Sequence, residues 1–93
     1  MATVLFGDYE WDTDKSAANQ IKHGVSFEEA ATALQDPHAA YVDAGSPDEQ
    51  RFAAIGHSAA RLLYVVHVER GERERIISAR LATASEEALY DQG

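Results

Sequence analysis

The chain contains no cysteine. That absence excludes a disulfide framework, thiolate catalysis and a zinc–thiolate site, and it fits a reducing cytosol. No stretch near the N-terminus joins a basic flank to a long apolar run, so no signal peptide is expected. No apolar run reaches the ~20 residues needed to span a bilayer. Basic residues are scarce as well. Eight lysines and arginines face sixteen acids, a formal net charge of −8, which argues against a nonspecific nucleic-acid binder.

The bases that are present are unevenly placed. Residues 1–50 hold ten acids against Lys15 and Lys22, and residues 81–93 hold three acids and no base. Residues 51–80 carry six arginines (Arg51, Arg61, Arg70, Arg73, Arg75 and Arg80) against Glu69, Glu72 and Glu74. All positive potential therefore sits on one segment, and every base in it is the residue suited to forking phosphate and carboxylate. At 93 residues the chain is expected to form one domain, residues 1–93, around a single small core.

Local signals predict α+β structure. Thr3-Val4-Leu5-Phe6 reads as an opening strand running toward Tyr9-Glu10-Trp11. Residues 13–23 read as a helix capped by Asp12 and ended by Gly24, with Ala17, Ala18 and Ile21 as its buried face. Ser26 and Glu29 have capping-box spacing before a second helix over 27–35, whose buried stripe is Phe27, Ala30, Ala31 and Leu34 and which Asp36-Pro37 stops. A meander follows, with strands at 39–42, 51–57, 61–69 and 74–80, a turn at Gly45-Ser46-Pro47-Asp48 and a hairpin at Gly71. A short helix over 85–90, with Thr83 as its cap, closes the chain. Two helices ahead of a run of hairpins predict an antiparallel sheet of four to five strands with the helices packed on one face.

Several blocks together resemble one family of small bacterial toxins. They are Trp11-Asp12, Lys15, Asn19 and Lys22-His23-Gly24-Val25-Ser26-Phe27-Glu28-Glu29-Ala30, then Asp36-Pro37, Arg51-Phe52, Ile55-Gly56, Glu69-Arg70-Gly71, Arg75-Ile76-Ile77-Ser78-Ala79-Arg80 and Ala82-Thr83. In order and spacing they resemble the BrnT toxins of type II toxin–antitoxin pairs. The resemblance implies a RelE-like α+β fold and a cytoplasmic, metal-independent endoribonuclease that arrests growth. It also implies inhibition by a BrnA-like antitoxin with a ribbon-helix-helix domain, DNA contact only through that antitoxin, and a hetero-oligomer that represses its own operon. The chain departs from the family's usual pattern in having His57 where arginine is usual, Leu81 where lysine is usual, and no base in the terminal helix. Those losses of cations leave a second reading open, an inactive toxin homologue that serves as an antitoxin-binding module.

Metal-free RNA cleavage needs a base for the ribose 2′-hydroxyl, an acid for the leaving 5′-oxygen and cations for the phosphorane. The candidates for these roles are Arg80, Arg75, Glu69 and His57, with Lys22, His23 and Arg51 as substrate-binding groups. Each has a structural reading beside the functional one. Arg80 and Arg75 can pair with acids, Glu69 can face either Arg75 or Glu74 across the hairpin, and His23 can complement a helix dipole. Facing Glu74 is the less favourable register for Glu69. His67 reads as a hydrogen-bonded core or sheet-face residue, and Trp11 as a core anchor. The four histidines, at 23, 38, 57 and 67, match no ligand spacing, so neither a metal site nor a cofactor is expected. The nuclease reading requires the Arg51, Arg75 and Arg80 guanidinium groups to converge.

Overall fold

The computed structural model describes residues 2–45 and 50–92. Nine elements follow in order: β1 (Thr3–Phe6), β2 (Tyr9–Asp12), α1 (Thr13–His23), α2 (Phe27–Leu34), β3 (Ala40–Asp43), β4 (Phe52–His57), β5 (Leu62–Arg70), β6 (Arg73–Leu81) and α3 (Ala84–Asp91). The turn expected at 45–48 lies outside the described residues beyond Gly45.

The sheet has six strands in the order β1-β2-β6-β5-β4-β3, not the four to five antiparallel strands expected. Two local facts account for the difference. Gly7, at φ 60°, turns the opening segment back on itself, so β1 and β2 form an antiparallel hairpin. The chain then crosses one face on α1 and α2 to the far edge and meanders back through β3, β4 and β5. It returns in β6 beside β2 in the same direction, and Tyr9 and Glu10 pair parallel with Glu74 and Arg75. No local motif encodes that parallel contact, because it follows from the number of chain reversals.

Both early helices start and stop as their sequences dictate. Asp12 accepts from the Lys15 N–H, and Gly24 closes α1 in the left-handed region at φ 70°, which a Cβ would strain. Ser26 accepts from the Glu29 N–H. The Ser26 box is only half made, however, because the Glu29 carboxylate turns instead to Arg61 and Ser58.

The core lies between the sheet and these two helices. Trp11, Val25, Phe27, Ala30, Ala31, Leu34, Leu63, Val65, Ile76 and Ala79 are buried together, with Trp11 edge-on to Phe27. The α2 stripe is the expected one, but the α1 face is not. Ala17 and Ala18 are exposed and Ile21 is 89% exposed; the buried α1 residue is Asn19. Its amide donates to the Val25 and Ala79 carbonyls at 2.9 and 2.8 Å and accepts from the Ala79 N–H at 3.1 Å. In an antiparallel pair both backbone groups of a residue point the same way. Ala79 therefore turns its groups away from β5, onto the edge of β6 that β2 has left. Asn19 completes that edge, so α1 docks by hydrogen bonding where an apolar stripe was expected.

Candidate nucleic-acid interface

Strand register assigns the candidate residues to two faces. Leu63, Val65 and Ala79 point to the helix-covered face. Tyr64 and Arg80, which are cross-strand partners, therefore point to the other. Ile55 pairs with Tyr64, so His57, two residues on, joins this second face. Arg80 and His57 thus share one end of one face, and α3 lies against it. The Arg80 guanidinium lies 4.1 Å from the centre of the Tyr64 ring. Both Arg80 Nη atoms donate to Glu86, at 2.8 and 2.9 Å. That fork holds the Glu86 carboxyl below its usual range and raises Arg80. His57 is exposed, with its ring 5.5 Å edge-on from that of Tyr90.

The expected convergence of arginines does not occur. Arg75 faces Val68 toward the opposite end of β6 and donates to Glu10 at 2.6 Å, in a pair whose side chains are only 16% and 14% exposed. Arg51 precedes β4, where its carbonyl accepts from Ala44 N–H across from β3. The three arginines therefore do not form a common phosphate cradle. Position along the strand separates Arg75 from Arg80, although the bulge at Val66/His67 leaves both on the same face, and Glu10 and Glu86 neutralise two of the three arginines.

Glu69 is exposed and sits opposite Glu74, the register held to be less favourable. Glu74 escapes the repulsion by turning to His67, with Nδ1 2.8 Å from its carboxylate. His67 is the hydrogen-bonded sheet residue the sequence suggests, with rings of Tyr41 and Phe52 beside it. Its Nε2 is buried and has no partner among the described residues. Enclosed in this way, the ring is out of reach of a ribose hydroxyl.

Lys22 and His23 end α1 and so lie on the helix-covered side, across the sheet from Arg80. There the last turn of α1 favours cations. Nearby, Arg61 donates to Gly24 O at 2.7 Å and forks Glu29 at 2.8 and 2.9 Å. This pair joins the α1–α2 corner to the β4–β5 turn and holds Glu29 below its usual range. It floors an apolar groove of about 550 Å³ bordered by Phe6, Thr32, Ala59 and Ala60. Among the described residues, no three His, Asp or Glu side chains are grouped to hold a metal ion, and no helix is long and apolar enough to cross a membrane.

Sequence reasoning missed the acid partners Glu10, Glu29 and Glu86, and also Asp36, which anchors α3. Asp36 accepts from the Tyr90 hydroxyl at 2.6 Å and from the His57 and His38 N–H groups at 2.9 Å. Led by the Tyr90 bond, these donors hold its carboxyl at about 2, against an ordinary 3.8. A carboxyl depressed in the folded state stabilises above its unfolded value, and that contribution is lost as pH falls through the folded value. Protection of the α3 amides from hydrogen exchange, measured relative to the intrinsic rate at each pH, should therefore fall as pH falls from about 4 to about 2. Asp36→Asn, which cannot ionise, should leave only the narrower loss due to Glu86. An unchanged acid profile in Asp36→Asn would remove Asp36 as the anchor.

Comparison with curated proteins finds no match. Comparison with family models finds one across residues 11–86, described as the ribonuclease toxin BrnT of type II toxin–antitoxin systems. The match runs from the buried Trp11 at the start of the core to Glu86 on the Arg80 fork, and so takes in the whole sheet apart from β1 and the first residues of β2. On that extent, the chain belongs to the BrnT family of ribonuclease toxins, which pair with an antitoxin and act on RNA.

Proposed function

We propose that this protein is itself an active, metal-independent endoribonuclease of RelE-like type that works in the cytoplasm, arrests growth and is neutralised by a BrnA-like ribbon-helix-helix antitoxin. The convergence of Arg51, Arg75 and Arg80 on which the sequence made this reading depend is absent; what supports it instead is the family match through the β6–α3 segment, together with the placement of Arg80 and His57 on one end of the second face. In this reading a phosphodiester is held by Arg80. The His57 imidazole takes the 2′-hydroxyl proton, O2′ bonds to phosphorus and the P–O5′ bond breaks. The leaving oxygen takes a proton from an acid, and a 2′,3′-cyclic phosphate remains. Arg75, Glu69 and Arg51 lie away from that end, Lys22 and His23 lie on the other face of the sheet, and no step is assigned to any of them.

One observation favours the second reading, an antitoxin-binding module without activity: Arg61, Arg75 and Arg80 are each paired with a carboxylate. Purified toxin, freed of antitoxin and assayed at low salt with EDTA, separates the two. Cleavage leaving cyclic phosphate ends is expected, with Arg80→Ala slower by about 100-fold. Cleavage that vanishes with EDTA overturns metal independence. Wild-type protein that neither cuts RNA nor arrests growth leaves the binding module.

A further inference from the structure

We infer that Arg80 and Tyr64 form a phosphate-binding subsite for single-stranded RNA that the chain keeps closed with its own Glu86, so that substrate must displace this carboxylate. The inference rests on the ribonuclease reading and adds its control. A guanidinium that donates two parallel N–H bonds to a carboxylate presents the fork it would present to two phosphate oxygens. At Arg80 both donors are spent on Glu86, at 2.8 and 2.9 Å, and the Tyr64 ring holds the guanidinium plane from below. The group is thus pre-oriented, and a negatively charged stand-in already fills it.

The stand-in is easily released. The helix that carries it buries no residue. Apart from the fork, its side-chain attachments are the Tyr90–Asp36 bond and the His57–Tyr90 ring contact. Polar contacts of this kind are largely replaced by water on opening, so α3 sits at the low end of local stability. Glu86 holds the fork and the cap at once, because its Oε1 accepts from both Arg80 Nη1 at 2.8 Å and the Thr83 N–H at 2.9 Å. Release of Arg80 therefore goes with opening of the first turn of α3, the loosely held element, rather than with a swing of one side chain.

The arrangement also explains how an acidic chain can engage a polyanion. With Glu86, Glu87 and Asp91 on α3, RNA is repelled until Arg80 is released from Glu86, and its apparent affinity falls by the fraction of molecules that are open.

The test is binding of a fluorescent single-stranded RNA, with cleavage followed in parallel. Glu86→Gln removes the charge but keeps a residue that can complete the box. It is expected to tighten RNA binding roughly 3- to 10-fold. Glu87→Gln, one position on, removes the same charge without touching the fork and should change affinity by less than about twofold. Arg80→Gln with Glu86→Gln should abolish the gain. Equal effects of Glu86→Gln and Glu87→Gln, or a gain that survives loss of Arg80, would overturn the inference. So would a Glu86→Gln protein that gains affinity only for poly-glutamate, since the fork would then serve a protein carboxylate. If wild type cleaves RNA and Glu86→Gln gains nothing, this inference fails while the ribonuclease reading stands. If neither protein binds nor cleaves RNA, both fail.

Discussion

Asn19→Leu is expected to destabilise the protein by roughly 2–5 kcal/mol, enough to lower the melting temperature by about 10–40 °C or to prevent folding. Leucine has the same branching and the same number of side-chain heavy atoms and would add apolar area, so a ledger of area alone would score the change as neutral or favourable. Hydrogen bonding decides the sign. Without the amide, the Ala79 N–H and the Ala79 and Val25 carbonyls lose their partner, and both residues are fully buried. No water reaches them to compensate.

Asn19→Asp distinguishes this account from a packing effect. The carboxylate still accepts from Ala79 N–H, but it cannot donate and it sets a charge against two carbonyl oxygens. Its folded-state pKa is therefore raised, and the variant should gain stability as pH falls through that value. Thermal unfolding by circular dichroism at two pH values measures both effects. An Asn19→Leu melting point within about 2 °C of wild type would remove the edge-completing role.

Asn19 also shows what a sequence of this kind conceals. Element types and most boundaries were legible because caps, turn glycines and alternation are local signals. Asp12, Gly24, Thr83 and the α2 stripe act as their positions suggest. The α1 face was misjudged because a periodicity argument counts apolar residues, and the one buried position there carries an amide. Ile21 fits an apolar face in sequence and is 89% exposed in the fold. The parallel β2–β6 pair was invisible for a different reason, since strand direction depends on the path of the whole chain.

The site was less legible than the fold. Six arginines in one segment suggested a cationic pocket, but strand length places Arg75 and Arg80 toward opposite ends of β6. The acids that meet them are far away in sequence: Glu10 lies 65 residues from Arg75, and Glu29 lies 32 from Arg61. Long-range pairing of this kind leaves no local trace. Only Glu86, six residues from Arg80, lay close enough for the pairing to be anticipated from spacing.

Gly56→Ala should also be damaging, although β4 holds Gly56 in a conformation that alanine also adopts. Replacing such a glycine normally gains about 0.4–1 kcal/mol by restricting the unfolded chain. Here a Cβ would stand 2.4 Å from the Ala33 carbonyl oxygen and 3.3 Å from its carbon. The obstacle is the backbone of the last α2 turn, so no rotamer relieves the clash and truncating Ala33 to glycine cannot rescue it. Either α2 lifts from the sheet or β4 bends, and overpacking of this kind costs roughly 1–3 kcal/mol. The effect should also travel. The Ala33 carbonyl accepts from the Asp36 N–H at 3.2 Å, and Asp36 in turn holds the Tyr90 hydroxyl. Displacing Ala33 therefore shifts the anchor of α3. Gly56→Ala is expected to lower the melting temperature and to speed hydrogen exchange in α3 more than in β5, even though, among the described residues, no hydrogen bond joins α3 to Ala33. A melting temperature equal to or above wild type would show that the strand and helix have room to separate without loss. Uniform acceleration across the sheet would show that Asp36 does not transmit the displacement.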